Sequence, residues 1–104
     1  MSDTEYFRLL DDENRIRVKF YTERGRVDKF SVQYESHIEG SWEAIVRYDT
    51  AHGFAHKDVM MPNGSQKKES VDVGDFGSAM TYAQEDLLQK LEQYRDDYLR
   101  RTKR

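Results

Sequence analysis

The sequence lacks cysteine altogether, which excludes disulfide bonds and metal sites built from thiolates. It contains one proline, Pro62, and no stretch rich in proline or glycine that would mark a linker. No apolar run approaches the roughly 20 residues that a membrane-spanning helix requires. These absences predict a soluble, cytoplasmic protein without a membrane partner, and its 104 residues are expected to form one domain, 1–104.

A dominant charge of one sign is also absent. Charged residues make up 36% of the chain, and the net charge is −3. The acids concentrate in residues 1–14 and 69–104, whereas residues 15–68 carry an excess of lysine and arginine. Dedicated nucleic-acid-binding proteins usually show a clearer basic excess. The mild excess in the central segment permits an anionic partner such as RNA without requiring one.

Apolar and polar residues alternate with a period of two through much of residues 14–71, which is typical of half-buried strands. Glycine-containing turns at Gly25, Gly40 and Gly64 separate the alternating segments. This pattern predicts an antiparallel β-meander of four or five strands, preceded by a polar segment, 1–13, whose conformation stays open. The residues expected on the buried face are Ile16, Val18, Phe20, Phe30, Val32, Tyr34, Trp42, Ala44, Val46 and Tyr48.

Apolar residues recur at spacings of three and four through residues 75–101, which predicts one long amphipathic helix. Asp72 or Asp75 is expected to cap its beginning. The predicted fold is therefore α+β, a meander sheet packed by one C-terminal helix. This helix is long for such a sheet, so the part from Tyr94 onward is expected to overhang and could meet a protein partner or a second copy.

The segment 47–58 concentrates ionisable side chains around a glycine. His52 and His56 flank Gly53, and Asp49 and Asp58 lie close by in the sequence. Imidazole titrates near neutral pH, so two histidines with a carboxylate can supply a general base and a general acid. The catalytic candidates are Asp49, His52 and His56, and the candidates for phosphate binding are Arg47, Tyr48 and Lys57.

This set of side chains suits metal-independent cleavage of RNA, in which the 2′-hydroxyl supplies the nucleophile, and no cofactor is predicted. A weaker alternative is a metal site formed by Asp49, His52, His56 and Asp58. Histidines four residues apart indicate a metal site on a helix, but Gly53 and the strand pattern argue against a helix here. In the structural interpretation, Asp49 and the histidines only hold a loop through bonds to the backbone.

The segment 46–58, followed by Pro62-Asn63-Gly64, resembles the central motif of a small prokaryotic family without assigned activity, Arg-Tyr-Asp-Thr-Ala-His-Gly-x-x-His. More distantly, it resembles TumE-like toxins of toxin–antitoxin pairs. Thr50 stands where those toxins carry asparagine, and Asp58 stands where they carry the second histidine of His-x-His. The positions that match the toxin pattern are Tyr48, Asp49, Gly53 and His56.

The resemblance implies a toxin-like, RNA-directed protein that has an antitoxin as its protein partner. The alternative is a non-enzymatic interaction module, or a homodimer formed through the C-terminal helix, in which the loop around Gly53 is structural.

Overall fold

The computed structural model describes residues 2–102, which form a six-stranded antiparallel sheet followed by two α-helices. Each strand pairs with the next one in the chain, so the sheet is an uninterrupted meander. This confirms the α+β fold predicted from the sequence. The elements are β1 (Ser2–Asp11), β2 (Asn14–Glu23), β3 (Arg26–Ile38), β4 (Ser41–Asp49), β5 (His56–Met60), β6 (Gln66–Ser70), α1 (Phe76–Gln89) and α2 (Leu91–Thr102).

The sheet contains a strand, β1, that the sequence analysis did not predict. The sheet therefore has six strands and not four or five, and it begins at residue 2 and not at residue 14. It pairs with β2 from Ser2 opposite Thr22 to Asp11 opposite Asn14. The strand lies at the edge of the sheet and is exposed on both faces. An exposed edge strand does not need to alternate apolar and polar residues, which is why periodicity did not reveal it.

Two of the tight turns of the meander form where glycine predicted them. Arg24-Gly25 joins β2 to β3, and Glu39-Gly40 joins β3 to β4. All four residues have positive φ angles, as a type I′ turn requires, and this turn matches the twist of the flanking strands. Asn63-Gly64 differs, because only its glycine has a positive φ.

A β-bulge in β4 changes which side chains face the helices. Tyr34 lies opposite Val46, but Glu35 lies opposite Ala44, so Ile45 is an extra residue in β4. Ile45 is buried. In the part of β4 that precedes Ile45, the even-numbered side chains therefore point to the opposite face from those that follow it. Trp42 therefore lies on the far face of the sheet, its ring 4.1 Å from the Arg15 guanidinium. The prediction that Trp42 and Ala44 face the helix was wrong for this reason.

The C-terminal helix is broken at Lys90, which caps α1 and precedes α2. Asp75 is the N-cap of α1, as predicted, and accepts a hydrogen bond from the Ser78 N–H at 2.8 Å. Helix α1 packs mainly on β3, and α2 packs on β4. Tyr98 is buried, so the expected overhang does not occur there, and Lys103 and Arg104 lie outside the described residues.

The core lies between the helices and the helix-side face of β2–β5. Each large apolar side chain buried there stabilises the fold by about 1.5–3 kcal/mol. Most of the predicted core positions are confirmed, and Phe20 is partly buried. No helix in residues 2–102 is long and apolar enough to cross a membrane. The buried apolar residues are Ile16, Val18, Phe30, Val32, Tyr34, Ile45, Val46, Tyr48, Ala55, Ala79, Ala83, Leu87 and Tyr98.

Candidate functional site

The candidate site lies on the face of the sheet turned away from the helices, which we call the outer face. Strands β4 and β5 pair there with Arg47 opposite Asp58 and Asp49 opposite His56. Directly opposite residues of an antiparallel pair point to the same side, and so do residues two apart in one strand. The register therefore gathers these four side chains, the outer-face cluster, without help from any helix.

His56 is the centre of the outer-face cluster and is only 1% exposed. Its Nε2 lies 2.7 Å from Asp49 Oδ1 and 3.6 Å from Asp58 Oδ2. Its Nδ1 lies 3.4 Å from the backbone carbonyl of Phe54. Both ring nitrogens thus face protein groups, and neither is free to meet a substrate from solvent.

Arg47 lies between the two carboxylates. Its Nη2 donates a hydrogen bond to Asp58 Oδ2 at 3.2 Å. Its Nε lies 3.0 Å from Asp49 Oδ2, but the N–H is not directed as a hydrogen bond requires. With Lys68, whose Nζ lies 4.0 Å from Asp58 Oδ1, Arg47 balances the negative charge of the cluster.

Asp58 keeps one oxygen without a hydrogen bond. The residue is 1% exposed, and within residues 2–102 its Oδ1 has no hydrogen-bond donor. A buried polar atom left unsatisfied costs about 1–3 kcal/mol. The outer-face cluster therefore has bonding capacity that the fold does not use.

The loop between β4 and β5 is held by its own polar contacts. The Thr50 N–H donates to the Phe30 carbonyl at 3.2 Å, and the Phe30 N–H donates to Thr50 Oγ1 at 3.1 Å. The Ala51 N–H donates to Asp49 Oδ1 at 3.2 Å. Gly53 has a φ of 83°, which other residues rarely adopt. Of the backbone contacts that the structural interpretation expects, those of Asp49 and His56 are present, whereas His52 faces Lys68.

His52 lies over the cluster at the surface. Its ring centroid is 5.3 Å from that of His56, and its Nε2 is 3.3 Å from Lys68 Nζ. Sequence reasoning missed Lys68, which lies on β6 directly opposite Asp58. The sequence did contain a signal for this pairing. Asp58 and Lys68 lie equally far from Asn63 on either side of the predicted turn, and a hairpin centred on this turn places them opposite each other.

Tyr48 and Lys57, two of the predicted phosphate ligands, lie on the helix side of the sheet. The Tyr48 and Tyr94 hydroxyls donate to Asp86 Oδ2 at 2.6 and 2.5 Å, and Lys57 Nζ donates to the Tyr94 hydroxyl at 2.7 Å. Tyr48 and Lys57 are direct register partners, one residue away from the outer-face positions. The structure therefore does not bring them together with Asp49, His52 and His56, or with Arg47.

The carboxylate of Asp86 is stabilised within this helix-side network. Burial by itself would raise its pKa, but the hydrogen bonds from Tyr48 and Tyr94, together with the charge of Lys57, outweigh burial and hold the pKa below 3.8. Burial and the neighbouring Asp86 raise the pKa of both tyrosines. These hydroxyls stay protonated and act as donors.

A cleft of about 340 Å³ adjoins the outer-face cluster at the end of β4. Asp49 lines it, together with Lys19, Lys29 and Tyr21. A larger cleft of about 720 Å³ lies between the β2–β3 turn and the beginning of α1. Of these two clefts, the smaller one is lined by a residue of the cluster and the larger one is not.

The fold and the site define an α+β protein with a histidine, two carboxylates and a guanidinium gathered on the sheet face that the helices leave uncovered. A family model, a domain of unknown function (DUF7718), matches residues 1–104. The chain therefore belongs to the DUF7718 family. No curated protein and no solved structure matches the chain.

Proposed function

We propose that the protein acts on RNA as a toxin-like phosphodiesterase, with the outer-face cluster and His52 as its site. The observation that carries this proposal is the exposed imidazole of His52, placed 5.3 Å from the buried imidazole that Asp49 holds. The resemblance of the surrounding motif to TumE-like toxins supports a place in a prokaryotic toxin–antitoxin or defence system.

His52 is the proton-transfer group in this proposal because its side chain is exposed. It removes the proton of the RNA 2′-hydroxyl, whose oxygen forms a bond to phosphorus while the bond from phosphorus to the 5′-oxygen breaks. The Lys68 ammonium protonates the leaving 5′-oxygen. The products are a 2′,3′-cyclic phosphate and a 5′-hydroxyl. Positioned acid–base groups of this kind contribute about 10²–10⁴-fold to the rate.

His56 and Asp49 are positioning residues in this proposal. The two ring nitrogens of His56 are already taken up by Asp49, Asp58 and the Phe54 carbonyl. They fix the ring against which His52 lies. Of the three catalytic candidates that the sequence offers, His52 therefore contacts the substrate, and Asp49 and His56 hold His52 in position.

The RNA strand is expected to approach along the adjoining cleft and Lys68. Lys19 and Lys29 line the cleft and offer ammonium groups for phosphates. The arginines of β2 are less suitable, because Arg15 is paired with Glu35 and Arg17 with Glu5. With three lysines neutralising phosphates, the logarithm of the affinity for single-stranded RNA should fall with a slope of about −2 against the logarithm of salt concentration.

Cleavage of end-labelled single-stranded RNA tests the proposal. We expect cleavage by the wild type, a loss of about 100-fold or more in His52→Ala, and little change in His37→Ala, a histidine that packs on Trp42. A 2′-deoxy substitution at the scissile position should abolish cleavage. Failure of the pure wild type to cleave any RNA, in EDTA or with added divalent metals, overturns the proposal.

The EDTA arm of the same assay addresses the narrower, metal-independent mechanism. Proton transfer by His52 and Lys68 requires no metal, so that mechanism predicts undiminished cleavage in EDTA. Cleavage only after Zn²⁺ or Mn²⁺ is added would contradict it while retaining RNA as the substrate.

A second candidate function is an interaction module, and the exposed edge of β1 favours it. Tyr6, Phe7 and Leu9 are 42%, 48% and 71% exposed on this edge strand. An exposed apolar edge is a template for pairing with another strand. Antiparallel pairing with β1 of a second copy would cover it, in place of the homodimer through the C-terminal helix. Light scattering should then show a dimer that Leu9→Lys weakens; a monomer at all concentrations contradicts this candidate.

A further inference from the structure

Three side chains with metal-ligand chemistry converge within the outer-face cluster. Asp49, His56 and Asp58 each offer one ligand atom, and these atoms lie within 4.8 Å of one another. We infer that this triad binds a divalent transition-metal ion, of which Zn²⁺ and Mn²⁺ are the suitable probes. The inference concerns the same cluster as the proposed function but does not depend on RNA being the substrate.

The distances within the triad suit one shared ion. His56 Nε2 lies 2.7 Å from Asp49 Oδ1 and 3.6 Å from Asp58 Oδ2. Around an ion about 2.1 Å from each ligand, neighbouring ligand atoms lie about 3.0 Å apart in an octahedron and about 3.4 Å apart in a tetrahedron. The two distances bracket these values, and the remaining pair of ligand atoms, from Asp49 and Asp58, lies within 4.8 Å.

The unsatisfied oxygen of Asp58 is an independent sign of a missing partner. Its Oδ1 has no hydrogen-bond donor in the described part of the chain, although the residue is 1% exposed. Native folds rarely bury a carboxylate oxygen without a partner. Lys68 Nζ lies 4.0 Å from this oxygen, too far for a hydrogen bond, so an ion bound by both oxygens of Asp58 would supply the missing partner.

The groups around the triad match the outer shell of a metal site. Histidine ligands usually turn their other ring nitrogen to a carbonyl or carboxylate, and His56 Nδ1 faces the Phe54 carbonyl at 3.4 Å. Arg47 Nε lies 3.0 Å from Asp49 Oδ2, the oxygen that does not face His56. Because Arg47 and Lys68 add positive charge, we expect weaker binding than at structural zinc sites.

The ligand set also selects the class of metal. One imidazole with two carboxylates suits Zn²⁺ or Mn²⁺, whereas Mg²⁺ and Ca²⁺ prefer oxygen ligands alone. His52, which the sequence offered as a fourth ligand, points its Nε2 at Lys68 Nζ, 3.3 Å away. We therefore assign His52 no place in the metal site.

Calorimetric titration of metal-stripped protein with ZnCl₂, MnCl₂ and MgCl₂ tests the inference, with elemental analysis giving the stoichiometry. The wild type should bind one Zn²⁺ or Mn²⁺ per chain and should bind Mg²⁺ much more weakly. Asp58→Asn and His56→Gln should weaken binding by more than the roughly 10–100-fold that outer-shell changes cost. His52→Gln and the surface control His37→Gln should bind as the wild type does.

A melting curve followed by circular dichroism shows whether each variant is folded. Asp58→Asn preserves the shape of the side chain, so it keeps the test valid even where His56→Gln unfolds the protein. No binding of either metal by the wild type, or unchanged binding by folded Asp58→Asn, overturns the inference. Neither measurement uses RNA, so the inference and the proposed RNA cleavage can fail separately.

Discussion

Strands β4 and β5 carry a buried polar network on each face, and the two networks differ in how completely they are satisfied. On the helix side, Asp86 accepts from Tyr48 and Tyr94, and Lys57 donates to Tyr94. On the outer face, the described residues leave Asp58 Oδ1 and Arg47 Nε without hydrogen bonds. Both networks arise from neighbouring residues of the same two strands.

This difference separates a structural network from a candidate binding site. A fully satisfied network rigidifies the fold and joins its elements, and the Asp86 network attaches both helices to the sheet. A network with an unused buried oxygen costs stability, and such a cost is typical of functional sites. The two faces of one strand pair thus differ in how completely their buried polar groups are bonded.

The largest change in the free energy of unfolding is expected when the Asp86 carboxylate is removed. Asp86→Ala deprives the buried Tyr48 hydroxyl and the partly buried Tyr94 hydroxyl of their acceptor, and it leaves Lys57 without its counter-charge. We expect the free energy of unfolding to fall by about 3 kcal/mol, measured by urea denaturation. Asp96→Ala, at an exposed position of α2, is the control and should change stability by no more than about 0.5 kcal/mol.

The acid stability of the protein should depend on the same carboxyl. Because the folded state holds the pKa of Asp86 below its ordinary value of 3.8, its ionisation stabilises the fold above that value. The contribution is lost as pH falls further through the folded pKa. The stability gap between wild type and Asp86→Asn should therefore narrow from pH 5 to pH 3. A constant gap would contradict this origin of the effect.

A smaller loss is expected for Tyr94→Phe, which removes one donor to Asp86 and the acceptor of Lys57. The hydroxyl is partly buried, so we expect a cost of about 1 kcal/mol. Tyr82→Phe changes a more exposed tyrosine of α1 and serves as the control. Equal effects of the two variants in urea denaturation would show that the network does not stabilise the fold.

The smallest effect on stability is expected for Asp58→Asn in metal-free protein. Asp58 is more buried than Asp86, yet one of its oxygens has no partner. An asparagine at this position keeps one oxygen that can accept from Arg47 Nη2, and the change removes a buried carboxylate oxygen that has no donor and costs stability, so we expect a change within about 1 kcal/mol. A loss as large as that of Asp86→Ala would abolish the distinction between the two networks.

Local sequence patterns predicted most of the strands, because alternation and glycine turns are properties of neighbouring residues. The pattern did not reveal the bulge at Ile45, since one inserted residue reverses the face of Trp42 without interrupting the strand. It also did not reveal the break at Lys90, where the apolar spacing of the helix continues into α2.

The candidate site was predicted in part for the same reason. The sequence alone determined that Asp49, His52 and His56 lie near one another, because they fall within eight consecutive residues. Only the tertiary structure decided that the side chains of Tyr48 and Lys57 lie on the helix side of the sheet, away from this group. It also decided that Lys68 joins from another strand and that one oxygen of Asp58 stays unsatisfied. Pairing register and burial create these relations, and both depend on residues far apart in the chain.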